Sequence, residues 1–197
     1  HEVSIEFDIA DSVTEEAVRL FQPELIVAPF LKRAITEAIW SRHTCLIVHP
    51  GIVGDRGPSA LDWAIRNALG EWGVTVLQAE AEMDAGPVWA AATFPLRAAR
   101  KASIYRHEVT EAAVRAVTAA VNRQFEPNFK PERVPGEAHA TMRQSDRAID
   151  WQHDDSATVL AKLNAADGFP GVADVLFGEP CHLFDAWPEA TFKGAPG

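Results

Sequence analysis

The fold of this chain is decided by the stretch CLIVHPGIVGDRGPSALDWAI, residues 45–65, together with WGVTVLQAEAEMDAGPVWA, residues 72–90. The apolar run Cys45–Val48 predicts a buried strand, which ends at His49 and leads into a glycine-rich loop. A second strand is predicted over Gly73–Ala79, and an acidic turn with Asp84 follows it. Catalytic groups of open α/β sheets lie beyond the carboxyl ends of strands. His49 and Asp84 each follow such an end, so this pair is the candidate site.

The remainder of the first 124 residues supplies further strands and helices around this stretch. Apolar and polar residues alternate over His1–Asp8, which predicts a strand. Helical spacing and end signals predict helices over 13–22, 35–40, 61–69 and 103–123, and Ser59 is the expected cap of the third. Short apolar runs predict strands over 25–28 and 88–94. This alternation of strands and helices predicts an α/β domain with a mainly parallel sheet and helices on its faces.

The composition of the chain changes at Phe125. Residues 125–141 contain three prolines and a glycine, which predicts a linker. A second, smaller unit is predicted over 142–197, with a helix over 156–164 and short strands over 173–176 and 181–186. The predicted organisation is therefore an α/β domain over 1–124, a linker, and a small carboxyl-terminal unit.

The charge and composition limit the classes of partner. A net charge of −10 argues against binding to the phosphate backbone of nucleic acid, which needs clustered lysine and arginine. No apolar run reaches the roughly 18–20 residues that span a bilayer. Two cysteines, Cys45 and Cys181, do not suggest a disulfide framework, so a cytoplasmic location is expected. Small molecules and protein surfaces remain the expected partners.

The chemistry of the candidate pair is acid–base chemistry. A histidine titrates near neutral pH and can act as a general acid or donate to a developing oxyanion. Asp84 would hold the His49 ring protonated and oriented. In the alternative interpretation, His49 is a strand-terminal residue satisfied by backbone groups and Asp84 is a turn carboxylate. Asp55 is expected to pair locally with Arg56, and Asp62 to lie on an ordinary helix face.

Other catalytic motifs do not occur in the sequence. There is no GxGxxG, GxxxxGK[ST], GxSxG or HExxH pattern, and GIVGDRG at residues 51–57 does not match a phosphate-binding loop. The histidines and cysteines show no metal-ligand spacing, so no metal is expected.

The order strand, His49-Pro50-Gly51, loop, WGVTV and MDAGPV resembles the catalytic core of the folate-dependent formyltransferases. That family has an Asn-x-His-Pro segment and a later Asp-x-Gly-Pro segment, which supply a catalytic Asn, His and Asp. Here His49-Pro50 and Asp84-Ala85-Gly86-Pro87 match, whereas Ile47 occupies the Asn position. The resemblance implies a Rossmann-like formyltransferase fold with His49 and Asp84 as catalytic residues.

The resemblance also implies a folate site and a second domain. The family's two folate loops correspond to Phe30, Leu31 and Lys32 and to the stretch 77–83, in which Ala79, Glu80, Glu82 and Met83 are the implied contacts. The segments RAIDW and KLNAADGFPGV are similar to the start of the small OB-like carboxyl-terminal barrel of methionyl-tRNA formyltransferases. The implied co-substrate is 10-formyltetrahydrofolate.

Two segments are most similar to a group of hydrogenase maturation factors, namely VHPGIVGDRGPSALDWAI and EMDAGPVWA. Members of that group join a formyltransferase-like half to an enoyl-CoA hydratase-like half. This implies formyl transfer toward coenzyme A during synthesis of the carbon monoxide ligand of nickel–iron hydrogenases, with hydrogenase maturation proteins as possible partners. The family's first strand and the loop after it are expected to be missing before His1, and the chain is expected to be a fragment truncated at both ends.

Two other functions stay open from the sequence. A methionyl-tRNA formyltransferase is the alternative within the family, and the net charge of −10 counts against it. A non-catalytic interaction module with a formyltransferase fold is the alternative from another class, and Ile47 supports it.

Overall fold

The central sheet is formed by the apolar segments on either side of the candidate site. The computed structural model describes residues 2–7, 9–31, 33–168, 170–189 and 191. The strands are β1 (Leu25–Pro29), β2 (Thr44–His49), β3 (Asp55–Arg56), β4 (Glu71–Gln78), β5 (Val88–Pro95), β6 (Glu137–Ala138), β7 (Val172–Leu176) and β8 (Glu179–Leu183). The helices are α1 (Asp11–Phe21), α2 (Glu37–Trp40), α3 (Ala60–Arg66), α4 (Lys101–Ile104), α5 (Thr110–Arg123), α6 (Gln144–Arg147) and α7 (Ser156–Ala166), and a π-helical turn, Tyr105–Val109, joins α4 to α5.

The main sheet is mixed, so the prediction of a mainly parallel sheet is wrong. Its strand order is β1-β2-β4-β5. Only β1 and β2 run parallel, and β4 is antiparallel to both β2 and β5. An alternation of strands and helices fixes the order of elements but not the direction of each strand. The connection from β4 to β5 is also too short for the crossover that a parallel pair requires.

The strand predicted over His1–Asp8 is also wrong for the residues that can be compared. Residues 2–7 have no regular secondary structure, and His1 and Asp8 lie outside the described residues. Val3, Ile5 and Phe7 are 78%, 81% and 78% exposed. Alternation alone does not make a strand, because a strand also needs a partner for its backbone hydrogen bonds. None of the described strands pairs with this segment.

The core lies mainly between the sheet and the long helix α5. Small residues on one face of α5, including Ala112, Ala116 and Ala120, are fully or almost fully buried and let the helix approach β4 and β5 closely. The helix predicted over 103–123 therefore exists, but it begins at Lys101 and widens into the π-helical turn. Such turns occur often at functional sites.

The residues after 141 pack on the sheet-containing part of the chain, and their division into a separate unit remains a prediction. Helix α7 packs against α3, and Leu163, Ala166 and Val172 form the centre of a separate small core. The described residues after 141 form two helices and the hairpin β7–β8, and the OB-like barrel remains a prediction. The linker predicted over 125–141 contains β6, which pairs with β3. Among the described residues, no helix is long and apolar enough to span a membrane.

Candidate active site

His49 is the last residue of β2, and the turn that follows it is firmly anchored. His49 is buried and pairs with Thr75 of β4 in the sheet. The Thr75 hydroxyl donates to the Gly51 carbonyl at 2.8 Å. The Trp72 indole donates to the Pro50 carbonyl at 3.0 Å. Two side chains of β4 therefore fix the backbone beyond His49, which fixes where its imidazole can point.

The imidazole of His49 lies between two carboxylates. Its Nε2 is 2.7 Å from Oδ2 of Asp55, and its Nδ1 is 3.5 Å from Oδ2 of Asp84. The predicted local pairing of Asp55 with Arg56 is wrong, because Arg56 instead contacts Glu82 at 3.3 Å. The closer partner of His49 is thus Asp55, and the longer Nδ1 distance leaves that nitrogen available to a ligand.

Asp84 reaches His49 by a route that the sequence argument did not anticipate. Because β4 runs antiparallel to β2, its last residue, Gln78, pairs with Leu46 and not with the end of β2. The connection from 79 to 87 then turns back toward His49. Asp84 has a positive φ of 54°, and its carboxylate accepts from the Gly57 amide at 3.1 Å. Asp is one of the residues that tolerate this left-handed conformation.

Asp55 has a second neighbour, His139. Its Oδ1 is 3.0 Å from Nε2 of His139, whose side chain is 39% exposed. His139 follows strand β6, and the pairing of β6 with β3 places it beside Asp55. Sequence reasoning missed His139 because the segment carries no signal except that of a linker. It also missed the role of Asp55, since the pairing of two-residue strands leaves no periodic pattern.

The histidine and both predicted folate loops line one cleft of about 680 Å³. Its lining includes Phe30 and Leu31 from one predicted loop and Ala79, Glu80, Glu82 and Met83 from the other. Lys32 lies outside the described residues. Ile47 also lines the cleft. Glu80 is held by Arg133 at 2.5 Å, so this carboxylate, like that of Glu82, already has a partner.

A cluster of ionised side chains forms another wall of the cleft. One oxygen of Asp62 contacts Nζ of Lys101 at 3.0 Å and Nη2 of Arg147 at 2.7 Å. Asp62 is buried against the cleft, which corrects the prediction of an ordinary helix face. Burial and the nearby Asp62 carboxylate raise the pKa of Tyr105 to about 12. Tyr105 lies edge-on to Phe30, with ring centroids 6.0 Å apart.

The described part of the chain contains no cluster of three or more His, Cys, Asp and Glu side chains arranged to hold a metal ion. What the cleft does offer is a buried histidine between carboxylates, an apolar side, and a neutral tyrosine. This arrangement suits proton transfer and stabilisation of an oxyanion during acyl transfer.

Comparison with known sequences agrees with a protein that catalyses acyl transfer. The formyl transferase family profile matches residues 8–121, more than half of the chain. The chain therefore belongs to the formyl transferase family, whose members transfer one-carbon groups.

The relatives define the group more closely. The chain is 50% identical to the hydrogenase maturation factor HoxX of Bradyrhizobium diazoefficiens, over 100% of this chain and 36% of that protein. It superimposes with a TM-score of 0.94 and 49% identity on HypX from Aquifex aeolicus in complex with tetrahydrofolic acid, covering 100% of this chain and 35% of HypX. The chain thus spans about a third of the length of these relatives.

More distant structures show the same fold. The methionyl-tRNA formyltransferase from Clostridium thermocellum superimposes with a TM-score of 0.72 at 17% identity, over 92% of this chain and 80% of that protein. At this level of identity the likeness concerns the fold alone.

Proposed function

We propose that this domain transfers the formyl group of 10-formyltetrahydrofolate to a nucleophilic acceptor. The observation that carries the proposal is the buried His49, held between Asp55 and Asp84 at the edge of a cleft. The similarity to HypX, whose structure was determined in complex with tetrahydrofolic acid, supports folate as the carrier.

The size of the cleft supports the binding of a small molecule. Its volume of about 680 Å³ is within the usual range for sites of small molecules. We propose that the pterin lies against Phe30 and Leu31 on one side and against Ala79, Glu80, Glu82 and Met83 on the other. Lys32 is proposed as a contact from the sequence resemblance alone.

The proposed reaction is acyl transfer in two steps. The acceptor attacks the formyl carbon, and a bond from the acceptor to carbon forms while the carbonyl oxygen becomes negative. Protonated His49 donates from Nδ1 to this oxygen. Asp84 takes the proton of the acceptor and returns it to the folate nitrogen as the carbon–nitrogen bond breaks. No proton is gained or lost overall.

Ile47 changes the set of donors at the oxyanion. It contributes no polar group where the family pattern has Asn, so His49 carries the side-chain donation alone. A backbone amide near Gly51 is the proposed second donor. Since one oxyanion donor typically contributes about 3–4 kcal/mol, we expect slow formyl transfer when either donor is lost.

We propose the thiol of coenzyme A as the acceptor. The similarity to HoxX over the whole chain supports a step in hydrogenase maturation, in which the formyl group becomes the source of carbon monoxide. The reaction in this domain would end at the formyl thioester, and hydrogenase maturation proteins would receive the later product. An adapter that binds folate without chemistry is the competing proposal, and Ile47 favours it.

The first prediction tests the catalytic pair in the full-length protein. His49→Ala and Asp84→Asn are each expected to lower the rate of formyl release from 10-formyltetrahydrofolate by about 100-fold or more, because each removes one partner of the transition state. The rate is measured by the absorbance change of the folate with coenzyme A present.

The chain contains a matched control for this pair. His153 and Asp150 form an exposed His–Asp pair at 2.8 Å, and neither residue lines the cleft. His153→Ala and Asp150→Asn should therefore leave the rate unchanged. Wild-type rates in both cleft variants would refute the assignment. Tryptophan fluorescence with a stable folate analogue separates the competing proposal, since an adapter would bind the analogue tightly but release no formyl group.

A further inference from the structure

We infer that Asp55 and His139 are positioning residues that hold the ring of His49 in one orientation during formyl transfer. This inference rests on the proposed function and deepens it. The residues form a continuous array from the surface to the cleft, in the order His139, Asp55, His49 and Asp84. Neither Asp55 nor His139 lines the cleft itself.

The inner contact fixes the His49 ring. Oδ2 of Asp55 lies 2.7 Å from Nε2 of His49, and both side chains are at most 5% exposed. A carboxylate at this distance accepts the Nε2 hydrogen and thereby directs Nδ1 toward Asp84 and the cleft. Asp84, at 3.5 Å, is too distant to fix the ring in the same way.

The outer contact is the one that would hold Asp55 in place. Its Oδ1 is buried and has no aligned hydrogen-bond donor among the described residues, yet Nε2 of His139 is 3.0 Å away. A buried carboxylate oxygen needs a donor, because its desolvation is otherwise uncompensated. Rotation of the partly exposed His139 ring would align its hydrogen with Oδ1.

The backbone around the array leaves no room for side chains at two glycine positions. A Cβ atom on Gly51 would lie 2.4 Å from Nε2 of His49 and 2.5 Å from Oδ2 of Asp55. A Cβ atom on Gly57 would lie 2.7 Å from the His139 carbonyl oxygen. The two glycines therefore permit both the inner pair and the close approach of the segment that carries His139.

The array has a chemical consequence for the proposed reaction. With its Nε2 hydrogen donated to Asp55, His49 can donate from Nδ1 only when the ring is protonated. Asp55 orients that ring without touching the substrate, as the buried carboxylate of a Ser-His-Asp triad does. His139 acts one step further out, by holding Asp55 in place.

The test compares four variants of the full-length protein by formyl release and by affinity for a stable folate analogue. Asp55→Asn should lower kcat by about 100-fold while the Kd of the analogue stays unchanged, because a neutral amide holds the Nε2 hydrogen less strongly than a carboxylate does and so orients the ring less firmly. His139→Leu should lower kcat by about 10–100-fold. His139→Gln, which keeps a donor near Oδ1, should recover most of that loss. His153→Leu is the exposed control.

The outcomes separate this inference from the proposed function. Thermal unfolding and the Kd of the analogue identify a variant that is merely misfolded, and the His139 pair still tests the array if Asp55→Asn does not fold. If the wild type is active and His139→Leu has the same kcat, the role of the outer contact is refuted. If Asp55→Asn has the same kcat, the role of the inner contact is refuted. A folded wild type that releases no formyl group overturns the proposed function instead.

Discussion

At the scale of single residues, burial keeps one polar group of the cleft neutral. Tyr105 shows this most directly, since it lines the cleft beside the ionised cluster of Asp62, Lys101 and Arg147. Burial is the larger cause of its raised pKa, and the Asp62 carboxylate adds to it. Tyr105 therefore stays a neutral hydroxyl at any pH at which the enzyme would work, and it can donate a hydrogen bond but cannot act as a base.

Titration of Tyr105 provides a direct measurement, because this chain contains one tyrosine. The phenolate absorbance of the folded chain should reach its midpoint near pH 12 rather than 10. Asp62→Asn should lower the midpoint only in part, since burial remains. The neutral form is favoured by folding, so the stabilisation is complete below about pH 10 and is lost as the pH rises toward 12. A midpoint at the ordinary value would contradict the burial of Tyr105.

At the scale of elements, the direction of β4 explains the shape of the site. Antiparallel β2 and β4 place the end of β4 beside the middle of β2, and only the returning connection brings Asp84 to His49. Gly86 lies in that connection. A Cβ atom there would be 1.8 Å from the Gln78 carbonyl oxygen, which is backbone and cannot move aside cheaply.

Substitution of Gly86 tests the connection. Gly86→Ala should lower the free energy of unfolding by roughly 1–3 kcal/mol or more, because the added methyl group is forced into a packed backbone. Affinity for the folate analogue should fall too, since the same connection carries Glu82 and Met83. Gly70→Ala is the control, as nothing lies within 4 Å of its Cβ position. Denaturant unfolding measures the stability of both variants. Equal stability of Gly86→Ala and Gly70→Ala would refute the close packing at Gly86.

The elements also show what a sequence can predict for this chain. The apolar runs of β2 and β4 fix those strands, because each run is long enough to reveal a buried segment. The pairing of β3 with β6 joins two-residue strands about 80 positions apart, and such short strands have no periodicity to read. For this reason the sequence could not predict that Asp55 and His139, which those short strands position, lie close together.

At the scale of the whole molecule, the buried cluster joins the sheet-containing part of the chain to the residues after 141. Asp62 comes from α3 and Lys101 from α4, whereas Arg147 is the last residue of α6, which lies in the predicted small unit. The two cations share one carboxylate oxygen, and their side chains are only 16% and 6% exposed. Removal of the carboxylate would leave two buried cations close together without a counter-ion.

Asp62→Ala should therefore lower the free energy of unfolding by about 3–5 kcal/mol. The combined variant with Lys101→Met and Arg147→Met should regain much of that loss, because apolar side chains of similar volume need no counter-ion. Arg97→Ala, which breaks a half-exposed pair with Glu108, should cost no more than about 1 kcal/mol. Denaturant unfolding of the three variants gives the comparison. If Asp62→Ala proves no more costly than Arg97→Ala, the small unit is held by the apolar packing of α7 on α3 and not by the buried cluster.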